Sequence, residues 1–285
     1  MSNKVYKIIT DKIIGRLKEG NISWKKGWIG QKINYVSRNS YSGVNLLLLE
    51  KPGEYLTFNQ AKKLGGHVKK GSKSEMVIYY KMLKKTVEEK NERGVVEEVE
   101  KKIPFLRYYR VFHIDDVEGV ESKLETTTHD PIESAENIIK NFKDKPKIEI
   151  KTSDRAFYQP RTDKVVVPKM EQFKDLNKYY AAIFHELIHS TGHNSRLNRF
   201  TNDDQFIFSS KSYSKEELVA EIGSAMLCNI AGIETDETLD NSAAYIKGWV
   251  EKLENNHRLI VRASSRAQKA VDLITAEEEK SQKTA

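Results

Sequence analysis

The sequence predicts an α+β chain in two parts. A small N-terminal α+β domain with a β-hairpin covers residues 1–118, a linker covers 119–133, and a mainly helical domain covers 134–285. Three observations carry this prediction. Short alternating and aromatic apolar runs dominate up to Ile114, whereas long runs at helical spacing dominate from Tyr179 onward. Residues 1–85 hold 18 Lys+Arg against 5 Asp+Glu, a balance of +13, which leaves −6 for the other 200 residues of a chain whose net charge is +7. The apolar, helix-compatible run Phe184-His185-Glu186-Leu187-Ile188-His189 contains His-Glu-x-x-His.

Residues 4–19 read as an amphipathic helix with Val5, Ile8, Ile9, Ile13 and Leu17 on one stripe, closed by Gly20 and Asn21. Tyr41 to Asn45 form a turn into the apolar run Leu46–Leu49. Leu56-Thr57-Phe58 reads as a short strand and Asn59–Lys63 as a short helix that stops at Gly65-Gly66. Met76–Leu83 and the aromatic-rich Ile103–Ile114 read as strands that pair into a long hairpin. Between them Glu88–Lys102 is nearly all charged and reads as an exposed tip or loop. Residues 115–133 are polar and acidic, as a linker is. The second half begins with a helix at Ile132–Phe142, then strands at Lys147–Lys151 and Val165–Val167 around a turn at Tyr158–Asp163. Helices follow at Tyr179–Ser190, Lys215–Gly232, Ser242–Glu254 and His257–Ile274.

The one cysteine, Cys228, excludes an internal disulfide and lies in an apolar run, so it reads as a buried thiol. The N-terminal helix has neither the long apolar core nor the cleavage site of a signal peptide, and no run is long enough to span a bilayer. These features point to the cytoplasm, with no membrane partner.

On a helix, positions four apart share a face, so His185 and His189 can hold one metal ion. Glu186 stands beside them as the candidate general base. Catalytic zinc takes three protein ligands. The third is sought in Glu216-Glu217-Leu218-Val219-Ala220-Glu221, where Glu217 is favoured and Glu221 is the alternative ligand or a support for a ligand histidine. His193 is a further alternative, and Asp203 and Asp204 are weaker ones. In such a site Glu186 takes a proton from water and returns it to the leaving amine, and Tyr213, His193 and Tyr158 are candidate donors to the oxyanion. Zinc is the preferred metal, with manganese or another divalent ion as alternatives.

The basic half interleaves Trp24, Trp28, Tyr35 and Tyr41 with Lys25, Lys26, Lys32 and Arg38, and adds a basic turn at Lys69, Lys70 and Lys73. Aromatic platforms with cations that follow phosphates bind single-stranded nucleic acid. Each tryptophan equally suits a core anchor. No Walker-type phosphate loop is present, so an ATPase is not expected.

Over nearly its whole length the chain resembles the ArdC-type antirestriction proteins of plasmids, phages and conjugative elements. In the N-terminal half the resemblance rests on Trp24-Lys25-Lys26-Gly27-Trp28, Asn39–Asn45, Leu56–Ala61, Gly65-Gly66, Val68–Gly71 and Tyr109-Arg110-Val111-Phe112. In the second half it rests on His185–His193, Arg196-Leu197-Asn198-Arg199, Glu216–Glu221, Ala244–Trp249 and Ala267–Ala270. The resemblance implies a single-strand-DNA-binding domain followed by a zincin-like metallopeptidase domain, a bound divalent metal, and protection of incoming DNA from host restriction. The zincin pattern also favours Glu217 as ligand and Glu221 as its support. Ser190 stands where many relatives have Trp, and His113 where Asn is expected. Three functions follow. One is an antirestriction protein that acts by binding single-stranded DNA, its metal site structural or weakly hydrolytic. Another is an active zinc peptidase directed at DNA-bound proteins such as restriction enzymes. The third is a polypeptide-processing protease whose basic domain recognises an acidic partner.

Overall fold

The computed structural model describes residues 2–24, 30–90, 96–124, 130–200, 211–234 and 243–276. Helix α1 (Ser2–Lys18) buries the stripe Val5, Ile9, Ile13 and Leu17. Arg16, also buried, donates to the carbonyls of Leu47 (2.6 Å) and Leu48 (3.0 Å) and pairs with Glu50 at 2.7 Å. It thereby satisfies the carbonyls left open at the end of α2 (Val44–Leu48). The expected apolar run at 46–49 is therefore mostly a helical turn.

Strand β1 (Lys32–Asn34) runs parallel to β2 (Gly53–Leu56), and β2 pairs antiparallel with the far end of the hairpin. Thr57 was expected inside a strand. It instead caps α3 (Phe58–Lys63), accepting from the Gln60 backbone at 3.2 Å, while the Gln60 side chain accepts from the Thr57 N–H at 2.8 Å. A short strand β3 (His67–Val68) precedes the hairpin of β4 (Glu75–Lys90) and β5 (Val96–His113). The sheet order is β1-β2-β5-β4.

The hairpin corrects one expectation. Its ladder extends from Glu75↔Val111 to Lys90↔Val96, so most of the charged stretch 88–102 is paired strand rather than loop. Backbone hydrogen bonds form the ladder whatever the side chains are. A ribbon with both faces in solvent has no apolar alternation to announce it. The expected linker is likewise ordered at its start, because β6 (Val117–Glu118) pairs with β3. Asp130 caps α4 (Pro131–Asn141), with proline at the first helical position.

The second half adds a sheet of β7 (Lys147–Lys151), β8 (Phe157–Gln159) and β9 (Lys164–Pro168) in the order β7-β9-β8. The expected turn at 158–163 therefore opens with a strand. Helix α5 (Leu176–Ser190) packs on this sheet and on α6 (Lys211–Ala231). A Cβ at Gly223 would stand 2.7 Å from Ile188 Cδ1, so glycine there sets how closely α5 and α6 approach. Helices α7 (Ala243–Asn255) and α8 (Leu259–Thr275) close the fold. One apolar core runs through both halves. It joins Ile9, Ile13 and Trp24 to Trp249, Leu253 and Ile260, and on to Phe184, Leu187 and Leu218. No helix among the described residues is long and apolar enough to cross a membrane.

Candidate metal centre

Helix α5 is fixed at both ends. Asp175 caps it by accepting from the Lys178 N–H at 2.9 Å. It stops at Ser190, where the Thr191 hydroxyl donates to the Ile188 carbonyl at 2.6 Å. A Cβ on Gly192 would lie 2.4 Å from the Phe200 ring, so this turn accepts only glycine without rearrangement. His193 leaves the helix line and engages Ser195 Oγ at 2.8 Å, outside the metal-ligand group.

His185, His189 and Glu217 converge. The two Nε2 atoms are 3.1 Å apart, and Glu217 oxygens lie 3.5 Å from His185 Nε2 and 3.3 Å from His189 Nε2. A tetrahedral ion with bonds of about 2.0–2.1 Å holds its donors about 3.3–3.4 Å apart. The two histidine nitrogens thus stand near the spacing that one divalent ion requires, and Glu217 turns one oxygen toward each of them. Two neutral nitrogens and one carboxylate are also a donor set that zinc and manganese both accept. His189 is buried, whereas the His185 and Glu217 side chains keep 26% and 23% exposure, so the group opens to solvent on one side. Glu186, the adjacent carboxylate, is itself buried.

The electrostatics favour a cation. Burial pushes His189 down, but the carboxylates of Glu216 and Glu217 beside it, with Glu186 nearby, raise it to about 10. Burial pushes Glu217 up, yet its bonds to His185 and His189 hold it well below the usual carboxylate range. The carboxylates hold positive charge at His189 as a proton, which a metal would replace.

Glu221 lies outside the three-donor group. Its carboxylate accepts from Trp24 Nε1 at 2.7 Å and from the Tyr245 hydroxyl, one helical turn away from the ligands. The carboxylate beside the ligand histidine is Glu216, with Oε1 3.7 Å from His189 Nδ1. Arg199 fixes Glu216 from Nε at 3.1 Å and Nη2 at 2.5 Å, and itself binds Thr191 Oγ1 at 2.7 Å and the Ile188 carbonyl at 2.8 Å. Arg196 ties the loop to the sheet through the Ser190 carbonyl (2.8 Å) and Asp163 (3.0 Å). The sequence places Arg196 and Arg199 in a motif without showing this role; its only signal is two arginines directly after the His-Glu-x-x-His helix.

Tyr158 is a poor oxyanion donor, because its hydroxyl donates to Asp163 at 2.7 Å. Asp203, Asp204 and the side chain of Tyr213 lie outside the described residues.

Among the nucleic-acid candidates, Trp24 and Lys32 are corrections. Trp24 is 1% exposed and packs edge-to-face on Trp249 at 6.0 Å, so no base can reach it. Lys32 is 3% exposed, with its Nζ donating to the carbonyls of Leu46 (2.9 Å) and Leu49 (2.6 Å). Arg38, in the left-handed region at φ 59°, pairs with the buried Glu54. Tyr41 is half-buried, edge-on to Tyr55. Lys69, Lys70 and Lys73 are exposed around Gly71, and Lys69 donates to the Asp115 carbonyl at 2.8 Å. Lys25, Lys26 and Trp28 lie outside the described residues.

Fold and site together define a zincin-like metallopeptidase domain, the family that residues 133–266 match, while residues 3–112 match the N-terminal domain of the anti-restriction factor ArdC. The chain belongs to the ArdC antirestriction family. It is similar to the ArdC antirestriction protein of plasmid R388 in a metal-free structure (34% identity, TM-score 0.71, 94% of this chain and 96% of that one) and in a Mn(II)-bound structure (32%, 0.72, 95% and 97%). It is 33% identical to a DNA primase TraC of Escherichia coli over 96% of its own length, but spans only 20% of that protein. It is also 29% identical to the protein y4eC of Sinorhizobium fredii, covering 98% of this chain and 94% of that one.

Proposed function

We propose that this chain binds single-stranded DNA through its basic N-terminal half and holds a divalent metal, zinc or manganese, at His185, His189 and Glu217, so protecting incoming DNA from host restriction in the cytoplasm. One juxtaposition carries the reading. Residues 1–85, with a charge of +13, share a continuous core with the helices that carry a three-donor metal group. DNA captured by the first is therefore held at a fixed distance from the second. Phosphate contacts supply affinity that falls steeply with salt.

A second reading rests on the centre itself. Structural zinc sites are closed by four protein ligands, whereas three ligands and an open side are the catalytic pattern. Here the described residues supply three, with Glu186 adjacent. A bound ion would polarise a carbonyl and acidify water. Glu186 would accept the proton and pass it to the leaving amine. Glu216, fixed by Arg199, would then face His189 Nδ1 and steady its ring. The substrates of such an activity would be DNA-bound proteins, restriction enzymes among them.

Plasmid transfer into restricting and non-restricting hosts, comparing the natural chain with Glu186→Gln, separates the two. Protection that survives the substitution is expected if DNA binding suffices. Protection lost while metal and DNA binding persist assigns the function to hydrolysis. Failure of the natural chain to protect would overturn both readings.

A further inference from the structure

The burial of Trp24 and Lys32 removes two of the sequence candidates for a nucleic-acid surface, and the hairpin offers a different one. Its two faces are unlike. Met76, Ile78 and Leu106 belong to the core that contains α1 and α2. The other face begins at Val77 and Val111, buried with Leu49, Tyr55 and Tyr41, and then runs outward into solvent. Along it the register places Tyr109 opposite Val77 and Arg107 opposite Tyr79. Tyr109 is 44% exposed, Tyr79 is half-buried, and the Arg107 guanidinium lies 4.7 Å above the Phe105 ring. Described residues of this face between Val77 and Val87 and between Val99 and Val111 include Lys85 and Arg107; its carboxylates stand at the two ends, Glu75 opposite Val111 at the root and Glu97 toward the tip. The basic turn Lys69–Lys73 leads directly into β4 at the root of this ribbon.

We infer that this face, with Tyr41, Tyr79, Phe105, Arg107 and Tyr109, is the stacking platform for single-stranded DNA, an assignment that rests on the DNA-binding reading above. Charge selects a polyanion, since the face is cationic where the rings are. Spacing selects a single strand. Alternate strand residues lie about 6.8 Å apart and diagonal cross-strand neighbours about 7–8 Å apart, roughly twice the 3.4 Å rise of stacked bases. Each ring therefore meets a separate, unstacked base, and a duplex, whose bases face inward, offers it none. Backbone pairing keeps the rings in a row without any pocket. Sequence tolerance follows, because every base has a π-face.

Adjacent tyrosines provide the test. Tyr108 is as exposed as Tyr109 but points to the opposite face. A fluorescent 20-nucleotide oligo-dT and its duplex are titrated against the full chain, Tyr109→Ala, Tyr79→Ala, Tyr108→Ala and Tyr109→Phe, with thermal melts to confirm folding. Loss of one stacking ring weakens single-strand binding by roughly ten-fold or more. That loss is expected for Tyr109→Ala and Tyr79→Ala on single strands alone. Tyr108→Ala and Tyr109→Phe should stay near the natural affinity. Equal loss at Tyr108 and Tyr109, or no loss at Tyr109 in a chain that binds oligo-dT, overturns the assignment. A natural chain that binds no oligo-dT overturns the DNA-binding reading itself.

Discussion

The metal centre and the hairpin face handle charge in opposite ways. At the centre, charges are few, partly or fully buried and individually partnered, and three donor groups converge on one point. On the hairpin, cations and rings are exposed and repeated along a ribbon. Chemistry at a point needs convergence, and a helix supplies it by spacing four residues apart. Binding along a polymer needs only periodicity, and a strand supplies that. Tests of the comparison should therefore give steep, residue-specific losses at the centre and graded, salt-sensitive losses on the ribbon.

The steepest loss is expected at Glu186. Removing a general base costs on the order of 10²–10⁴ in rate, so Glu186→Gln should abolish any peptide hydrolysis while metal content, read by elemental analysis, stays at one equivalent. Loss of metal in this variant would mean that Glu186 belongs to the ligand set, and the division of roles at the centre would fail.

Trp24 probes the seam between the two regions. It joins Glu221 on α6 to Trp249 within the shared core. Trp24→Ala should lower unfolding free energy by about 3–5 kcal/mol, seen in urea denaturation. Single-strand affinity of the folded fraction should be unchanged. A selective loss of affinity without loss of stability would return Trp24 to the nucleic-acid surface.

These placements mark where sequence reading succeeds. His185, Glu186 and His189 were legible because helix geometry alone decides that residues four apart converge. The hairpin's paired core was legible from alternation at 76–83 and 103–114, but its charged arms were not, since nothing there is buried. Trp24 and Trp28 look alike in sequence, and only long-range packing assigns Trp24 to the core. Glu216, Glu217 and Glu221 lie on one helix and differ by rotation. Glu216 meets Arg199 and His189, Glu217 meets both histidines, and Glu221 meets Trp24. The sequence pattern favours Glu217 as the ligand, but a single sequence contains no partner coordinates, so what Glu216 and Glu221 face was not legible.

A smaller effect separates Glu216 from Glu217. Carboxylates that orient a ligand histidine are worth about 10–100-fold in metal affinity. Glu216→Gln should weaken zinc or manganese binding by that factor, measured by competition with a chromogenic chelator, whereas Glu217→Gln should remove the site. Equal losses in both variants would make Glu216 a ligand rather than an orienting group.

The gentlest test is pH. Folding raises His189 from its ordinary 6.5 to about 10, and lowers Glu216 and Glu217 below their ordinary 4.5. A raised pKa means that the folded chain holds the proton more tightly than the unfolded chain. That stabilisation is complete below about 6.5 and is lost as pH climbs to about 10. The glutamates act in reverse, contributing above 4.5 and losing their share as pH falls. The metal-free chain should therefore melt at progressively lower temperature from pH 6.5 to 10. Metal affinity should rise over the same window, because the ion displaces the His189 proton. DNA binding on the ribbon should instead track salt, its cations being lysine and arginine. Melting curves of metal-free and metal-loaded protein across that range show whether the slopes oppose. If they run parallel, the proton held at His189 does not stand where the metal binds.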